Sequence, residues 1–199
     1  FSSLILVSLM FVFGSFIGII SGYIGGLFDN IVMRIVDVFL AFRSLVLAIA
    51  VAGVLGGGMI NAMIAIGVIG WTKYARLARG EVLEIKEETF IKAARLSGNS
   101  SMYIVFKHIM PRVLSTLIVT ASLDIGTTIM EMAALSFLGL ISPLPIQEWG
   151  AMMNEGKSMI QFAPWITIAP GIAIFIIVIL FNLLGDVVHD MLDPKQKEY

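Results

Sequence analysis

Residue types that build reactive or metal-binding sites are scarce in this sequence. The 199 residues include no cysteine and only two histidines, His108 and His189. Disulfides and thiolate metal sites are therefore excluded, and two histidines so far apart do not predict a metal cage. Charge is scarce as well, because 14% of the residues are charged against about 25% in a typical soluble domain. The net charge of −1 excludes the strongly basic surface of a nucleic-acid-binding protein.

Apolar residues dominate the chain instead. They make up 58% of it, and the mean hydropathy is +0.97, which predicts a membrane protein. Residues 2–28 carry no charge and exceed the roughly 20 residues that a membrane helix needs. This stretch starts at Phe1 and lacks both the basic region and the cleavage site of a signal peptide. We therefore expect the chain to be an N-terminally truncated part of a longer protein.

The apolar stretches predict an all-α, polytopic transmembrane helical bundle. Five spans are expected, at about 3–21, 31–55, 60–79, 113–135 and 163–185. Eight of the 13 Lys and Arg residues lie between Lys73 and Arg112, and Lys195 and Lys197 lie in the tail. The positive-inside rule places that central segment and the C-terminus in the cytoplasm, which predicts a sixth span before Phe1 in the full protein.

The central polar segment, residues 90–114, has the start and stop signals of two short helices. Thr89 is predicted to be the N-cap of the first helix, and Gly98 the left-handed residue that ends it. The Asn-Ser pair at 99–100 is expected to cap the second helix, and Pro111 to end it. A solvated connection between two spans is the alternative that these signals alone leave open.

The amino-acid sequence of this segment resembles the EAA loop of binding-protein-dependent ABC importer permeases. The family pattern is Glu-Ala-Ala, three residues, Gly, nine residues, then Ile-x-Leu-Pro. Four positions match it in register: Ala93, Ala94, Gly98 and Pro111. Lys92 stands at the place of the Glu, His108 at that of the Ile and Met110 at that of the Leu.

The resemblance extends over nearly the whole chain. The phrases "GYIGGLFDNIVMRIVDVFLAF", "GWTKYARLARGEVL", "EWGAMMNEG" and "FNLLGDVVHDMLDPK" are similar to the C-type subunit of the dipeptide/oligopeptide/nickel permease family. This implies one importer transmembrane domain over 1–199, with six spans in the full subunit and an EAA-type coupling loop at about 80–112. Arg43 stands where that family usually has Pro. The sequence between "LSFLGL" and "EWG" also differs from the sequence that the family usually has there.

Membership of this family implies partners and a division of labour. The partners are a homologous permease, two ATP-binding cassette ATPase subunits and an extracellular or periplasmic substrate-binding protein, assembled in the lipid bilayer of a prokaryotic plasma (inner) membrane. The resemblance implies a transport subunit that is not itself an ATPase, with no catalytic residue and no cofactor of its own. The absence of a G-x-x-x-x-G-K-[ST] phosphate loop from the sequence is consistent with this expectation. ATP and Mg would be bound by the ATPase subunits, and residues 142–162 would contribute to the outer gate and to docking of the binding protein.

The resemblance also assigns the ATPase-coupling residues. They are Lys92, Ala93, Ala94, Gly98, His108 and Pro111. With Thr89 as N-cap, Lys92 occupies the third helical position, where Glu would complete a capping box. One hypothesis is that the ATPase supplies an acid facing Lys92, and the alternative is a tolerated surface lysine.

Acidic residues also occur inside the predicted spans. Asp124 and Glu131 lie seven residues apart, which places them on one face of a helix. Together with Arg43 they are predicted to line the translocation path or a gate. The alternative is that the two acids have a structural partner, such as Arg43 or a neighbouring backbone. Arg34 and Asp37 are predicted to form a local ion pair.

The sequence also predicts a helix contact and a cargo. The Gly repeat at 14, 18 and 22 predicts a close helix contact, either within the subunit or with the partner permease. The phrases "VLGGGMINAMIAIG" and "TASLDIGTTIMEMAALSFLG" resemble the nickel and metal-chelate branch, so the expected cargo is nickel or another metal, as a chelate. The alternative cargo is a di- or oligopeptide. A more remote alternative is a different class of protein, a secondary carrier or channel.

Overall fold

A computed structural model describes residues 1–141 and 148–192 of the chain. This part contains nine α-helices, and no strand occurs in it, which confirms the predicted all-α class. The α-helices are α1 (Ser2–Ile24), α2 (Gly26–Leu40), α3 (Ser44–Val54), α4 (Met59–Lys86), α5 (Thr89–Leu96), α6 (Ser101–Ile104), α7 (Met110–Phe137), α8 (Trp149–Gly156) and α9 (Trp165–Leu192). A π-helical turn (Val105–Ile109) joins α6 to α7, and a 3-10 turn (Lys157–Met159) follows α8.

Three helices are long and apolar enough to cross a membrane. They are α1, the continuous helical run Ser101–Phe137, and α9. The pair α2 and α3 makes a fourth span if it is taken as one broken helix, because the two are bent by 88° at their junction. The predicted span at 31–55 is therefore interrupted at Arg43, whose backbone is extended (φ −65°, ψ 126°). The count of five spans stays a prediction.

The Gly repeat of α1 is a contact inside this chain. Carbon atoms added at Gly14 and Gly18 would lie 2.4 Å from the carbonyl oxygen of Trp71 and 2.3 Å from that of Ala75, both on α4. At Gly22 the corresponding atom would lie 3.0 Å from Cβ of Val82. The two helix backbones thus approach each other more closely than any side chain at these positions permits, as small residues allow in membrane proteins.

The polar hairpin, defined here as residues 87–113, differs from its prediction at both helix ends. α5 begins at Thr89, so its N-cap is Glu88 and the assignment of Thr89 as N-cap is wrong. The predicted stop at Pro111 is also wrong, since the helical run continues through it to Phe137. Pro111 follows the wide π-helical turn and stands in the first turn of α7, where a missing N–H does least harm.

Two signals in the hairpin are confirmed. Gly98 has φ +81°, the left-handed conformation that ends a helix. The Ser100 side chain accepts a hydrogen bond from the backbone N–H of Tyr103 at 3.3 Å, so it caps the second helix.

The close approach of α1 and α4 makes a prediction about stability. We expect Gly18→Ala to lower the free energy of unfolding by about 1–3 kcal/mol, because its methyl group has no room against the α4 backbone. Gly80→Ala is the matched control, since an added carbon there meets nothing within 4 Å. Thermal unfolding of the purified membrane protein in detergent measures both, and equal stability of the two variants would contradict the packing described here.

Candidate functional site, a polar cavity beside a helical hairpin

A cavity of about 210 Å³ lies between α1, α2, α3, α4 and α7. One side of its wall is aliphatic, and the rest is polar. The polar lining consists of Ser44, Thr72, Lys73, Asp124, Thr127, Thr128 and Glu131. We call this space the polar cavity. It contains both acids that the sequence predicted to share a face of α7, Asp124 and Glu131.

An ion pair crosses one part of the polar cavity. Nζ of Lys73 on α4 donates a hydrogen bond to Oδ1 of Asp124 on α7 at 2.5 Å. The Asp124 side chain is 12% exposed and that of Lys73 is 54% exposed, so the carboxylate is withdrawn and the ammonium faces the opening. The partner of Asp124 is thus Lys73, and Arg43, which the sequence suggested, occurs in no ion pair of the described residues.

Glu131 has a different environment. The Ser44 hydroxyl, at the start of α3, donates a hydrogen bond to Oε1 of Glu131 at 2.6 Å. Within residues 1–141 and 148–192, no ion pair includes Glu131. α7 is therefore joined across the polar cavity to α4 by an ion pair and to α3 by a neutral donor.

Three cations of α4 are paired with acids on neighbouring helices. Arg76 forms an ion pair with Asp37 of α2, in which both side chains are about half exposed. The prediction that Asp37 pairs with Arg34 is wrong, because the neighbouring helix brings a cation to the carboxylate directly. Lys73, Arg76 and Arg79 follow each other at intervals of three residues on α4.

Arg79 makes the buried member of this series. Its Nε and Nη2 donate to the two carboxylate oxygens of Asp29 at 2.8 and 2.6 Å, and Ser21 donates to Oδ1 at 2.6 Å. The Asp29 side chain is 8% exposed. This network ties α1, α2 and α4 together, and sequence reasoning missed it. The spacing of Lys73, Arg76 and Arg79 by three residues indicates a charged strip on α4, although it does not identify the partners on other helices.

The hairpin contributes to the hydrophobic core of the chain. Four of its buried aliphatic side chains belong to that core: Ile91, Ile104, Ile109 and Val113. His108 lies edge-on between the rings of Phe90 and Tyr103, with both ring centres 5.9 Å away. The Arg112 guanidinium stacks on Phe90 at 4.6 Å and donates to both carboxylate oxygens of Glu88 at 2.9 and 2.7 Å. His108 is therefore a packing residue in this chain, and α5 is held against the start of α7.

The outer face of α5 is exposed. Ala93 and Leu96 both face solvent, and Leu96 is 90% exposed. Nζ of Lys92 lies 3.0 Å from Oε2 of Glu87, and this hydrogen bond lowers the pKa of Glu87. Because α5 begins at Thr89, Lys92 is the fourth helical residue, and the capping-box comparison does not apply. An acid for Lys92 is present within the chain.

Three helices that are long and apolar enough to cross a membrane, with a polar hairpin between them, are typical of a polytopic membrane protein. A family model described as "Binding-protein-dependent transport system inner membrane component" matches residues 14–198. The chain belongs to that family. The match confirms the predicted resemblance to binding-protein-dependent permeases and a location in the membrane.

Relatives of known name agree with this assignment. The dipeptide transport system permease protein DppC of Alkalihalophilus pseudofirmus is 44% identical over 186 residues, which are 94% of this chain and 61% of that protein. The glutathione transport system permease protein GsiD of Pectobacterium atrosepticum is 45% identical over 184 residues, 92% of this chain and 61% of that protein. In Shigella sonnei the protein of the same name is 46% identical over 194 residues, 94% of this chain and 64% of that protein. The chain thus spans less than two thirds of the length of these relatives.

The fold is also known from solved structures. Chains from two inward-facing structures of the MetNI methionine ABC transporter match with TM-scores of 0.69 and 0.71 at 20% sequence identity. Each match covers 96% of this chain and 93% of the solved one. At this identity the likeness establishes the fold alone.

The named relatives do not support the expected nickel or metal-chelate cargo. Their names refer to a dipeptide and to glutathione, which favours the peptide alternative. Within the described residues, no group of three or more His, Asp or Glu side chains is placed to hold a metal ion.

The two arginine–aspartate pairs of α4 and α2 make a prediction about stability. We expect Asp29→Ala to lower the free energy of unfolding by about 3 kcal/mol, since it leaves Arg79 partly buried without its carboxylate. Asp37→Ala removes the exposed pair and should cost about 0–1 kcal/mol. Denaturant titration of the purified protein measures the difference. The double variant Asp29→Ala with Arg79→Ala should recover part of the loss, and a larger effect of Asp37→Ala would contradict this account.

Proposed function

We propose that this chain is a permease subunit of a binding-protein-dependent ABC importer that carries short peptides across the plasma membrane. The observation that carries the proposal is the 44–46% identity to permeases named for a dipeptide and for glutathione, over more than 90% of the chain. Glutathione is itself a tripeptide, so one substrate class accounts for both names. A homologous permease would form the other half of the path, and two separate ATPase subunits would bind ATP and Mg.

In this proposal the hairpin is the element that the ATPase moves. Its helix α5 presents the small residues Ala93 and Ala94 and the exposed Leu96, and Gly98 ends the helix without a side chain. The small residues let another surface approach the backbone of α5 closely, and Leu96 offers an apolar contact beside them. The packing of His108 and the ion pair of Arg112 make the hairpin stiff enough to transmit a push.

The same two helices that emerge from the hairpin carry the ion pair of the polar cavity. Lys73 lies 13 residues before the end of α4 at Lys86, and Asp124 lies 14 residues after the start of α7 at Met110. Each is therefore about 20 Å from the hairpin along a continuous helix. A displacement of the hairpin would reach the polar cavity through α4 and α7, and the expected cycle alternates between inward-open and outward-open states.

The orientation follows from the charges. The hairpin and the C-terminus would lie in the cytoplasm, and the chain would contribute five of six spans. The segment 142–162 would face the binding protein on the opposite side. Residues 142–147 of that segment lie outside the described residues. The remainder contains α8.

Reconstitution tests the function directly. The complete complex, with both permeases, the ATPase subunits and the binding protein, is placed in proteoliposomes, and uptake of a labelled dipeptide is followed. We expect uptake that requires ATP on the hairpin side and the binding protein. Dipeptide transport by this subunit without nucleotide would overturn the proposal in favour of a carrier or channel.

Docking of the hairpin makes a separate prediction. We expect Ala93→Trp to reduce the amount of co-purified ATPase by about tenfold, because a large side chain on the seated face costs about 1.4 kcal/mol or more. Thr89→Trp is the matched control, since Thr89 is also exposed on α5 but lies outside the EAA-like pattern. Equal co-purification of both variants with the ATPase would show that this face of α5 does not dock.

A further inference from the structure

The polar cavity carries an excess negative charge. Its charged lining consists of one cation, Lys73, and two acids, Asp124 and Glu131. Lys73 is used by Asp124 at 2.5 Å, whereas the hydrogen-bond donor at Glu131 is the neutral hydroxyl of Ser44 at 2.6 Å. Glu131 is therefore a carboxylate without a cation among the described residues.

A lone carboxylate among apolar helices is unfavourable unless a cation reaches it. Glu131 is partly exposed and lines the polar cavity, so a cation from outside the chain can approach it. Ser44 supplies one donor to one carboxylate oxygen, Oε1, and Oε2 is free for a second partner. The arrangement is that of a carboxylate prepared for an incoming ammonium group.

The size of the polar cavity limits what it holds. Its volume of about 210 Å³ is below the roughly 300–1,000 Å³ of pockets that enclose a whole drug-sized ligand. Asp124 and Glu131 are seven residues apart on α7, which separates them by about 10 Å along the helix axis. One end group of a substrate therefore fits beside Glu131 while Asp124 remains occupied by Lys73.

We propose that Glu131 binds the free α-ammonium group of the peptide as it passes through the permease, with Ser44 holding the carboxylate in position. This inference rests on the proposed function. It assigns Glu131 as a binding residue of the translocation path and Lys73 as the group that keeps Asp124 from competing for the ammonium.

The first test separates charge from packing. Glu131→Gln keeps an oxygen that can accept from Ser44 and removes only the charge. We expect it to lower dipeptide uptake by the complete reconstituted transporter by roughly 10- to 100-fold, the range expected for one hydrogen bond to a charged group. Glu131→Asp keeps the charge and should therefore retain more uptake than Glu131→Gln.

The second test measures occupancy without the binding protein, which has its own selectivity. The chain has no cysteine, so Thr127→Cys places a single thiol of this subunit on the wall of the polar cavity. In the assembled transporter, dialanine amide, which has a free ammonium group and no carboxylate, should slow maleimide labelling of this thiol. N-acetyl-dialanine amide should not. Adding Glu131→Gln should abolish the protection.

The outcomes distinguish the two proposals. Absence of ATP-dependent dipeptide uptake by the wild-type complex would overturn the proposed function. Normal wild-type uptake together with full activity of Glu131→Gln, or equal protection by the free and the acetylated peptide, would overturn the assignment of Glu131 and leave the proposed function intact.

Discussion

The structure depends on the contact between α1 and α4, in which two helix backbones lie against each other. Glycines at three successive turns of α1 let its backbone lie against α4, and added carbons at Gly14 and Gly18 would fall within 2.4 Å of α4 carbonyl oxygens. In a bilayer there is no hydrophobic force to bring helices together, so close van der Waals packing between small residues has to do it. α4 also packs against α2, α3 and α7, and α8 and α9 pack in turn against α7.

Three cations of α4 connect it to neighbouring helices through ion pairs. Lys73, Arg76 and Arg79 occur at intervals of three residues, and each meets an acid on another helix. The pairs differ in burial, because the carboxylate of Asp29 is almost fully enclosed while the pair of Arg76 is half exposed. α4 consequently connects three features: the tight apolar contact with α1, the buried network with α2, and the polar cavity shared with α7.

Local chemistry could be read from the sequence, and long-range partners could not. Gly98 and Ser100 were predicted because a left-handed cap and a hydroxyl cap depend on residues within one turn. The Gly repeat of α1 was likewise evident, although only the structure shows that α4 is its partner. By contrast, Asp37 pairs with Arg76, 39 residues away, and not with nearby Arg34. No sequence spacing specifies which helix becomes the neighbour of another.

The hairpin illustrates a second limit. A proline usually interrupts a helix. At Pro111 the helix continues, because the wide π-helical turn before it accommodates the missing backbone N–H of the proline. The N-cap moved by one residue to Glu88 because Thr89 adopts helical geometry itself. These two differences from the predicted helix ends have consequences for the hairpin. Lys92 becomes the fourth residue of α5, and the second helix of the hairpin continues into α7.

α4 and α7 join the hairpin to the polar cavity as continuous helices. Val68 on α4 and Met130 on α7 are 42% and 60% exposed. They suit spin labels attached through Val68→Cys and Met130→Cys in a complex whose other subunits lack cysteine. The distance between the labels is measured by double electron–electron resonance with and without trapped ATP. A shifted distance distribution on ATP binding is the predicted result, and an unchanged distribution in a complex that hydrolyses ATP would contradict the account.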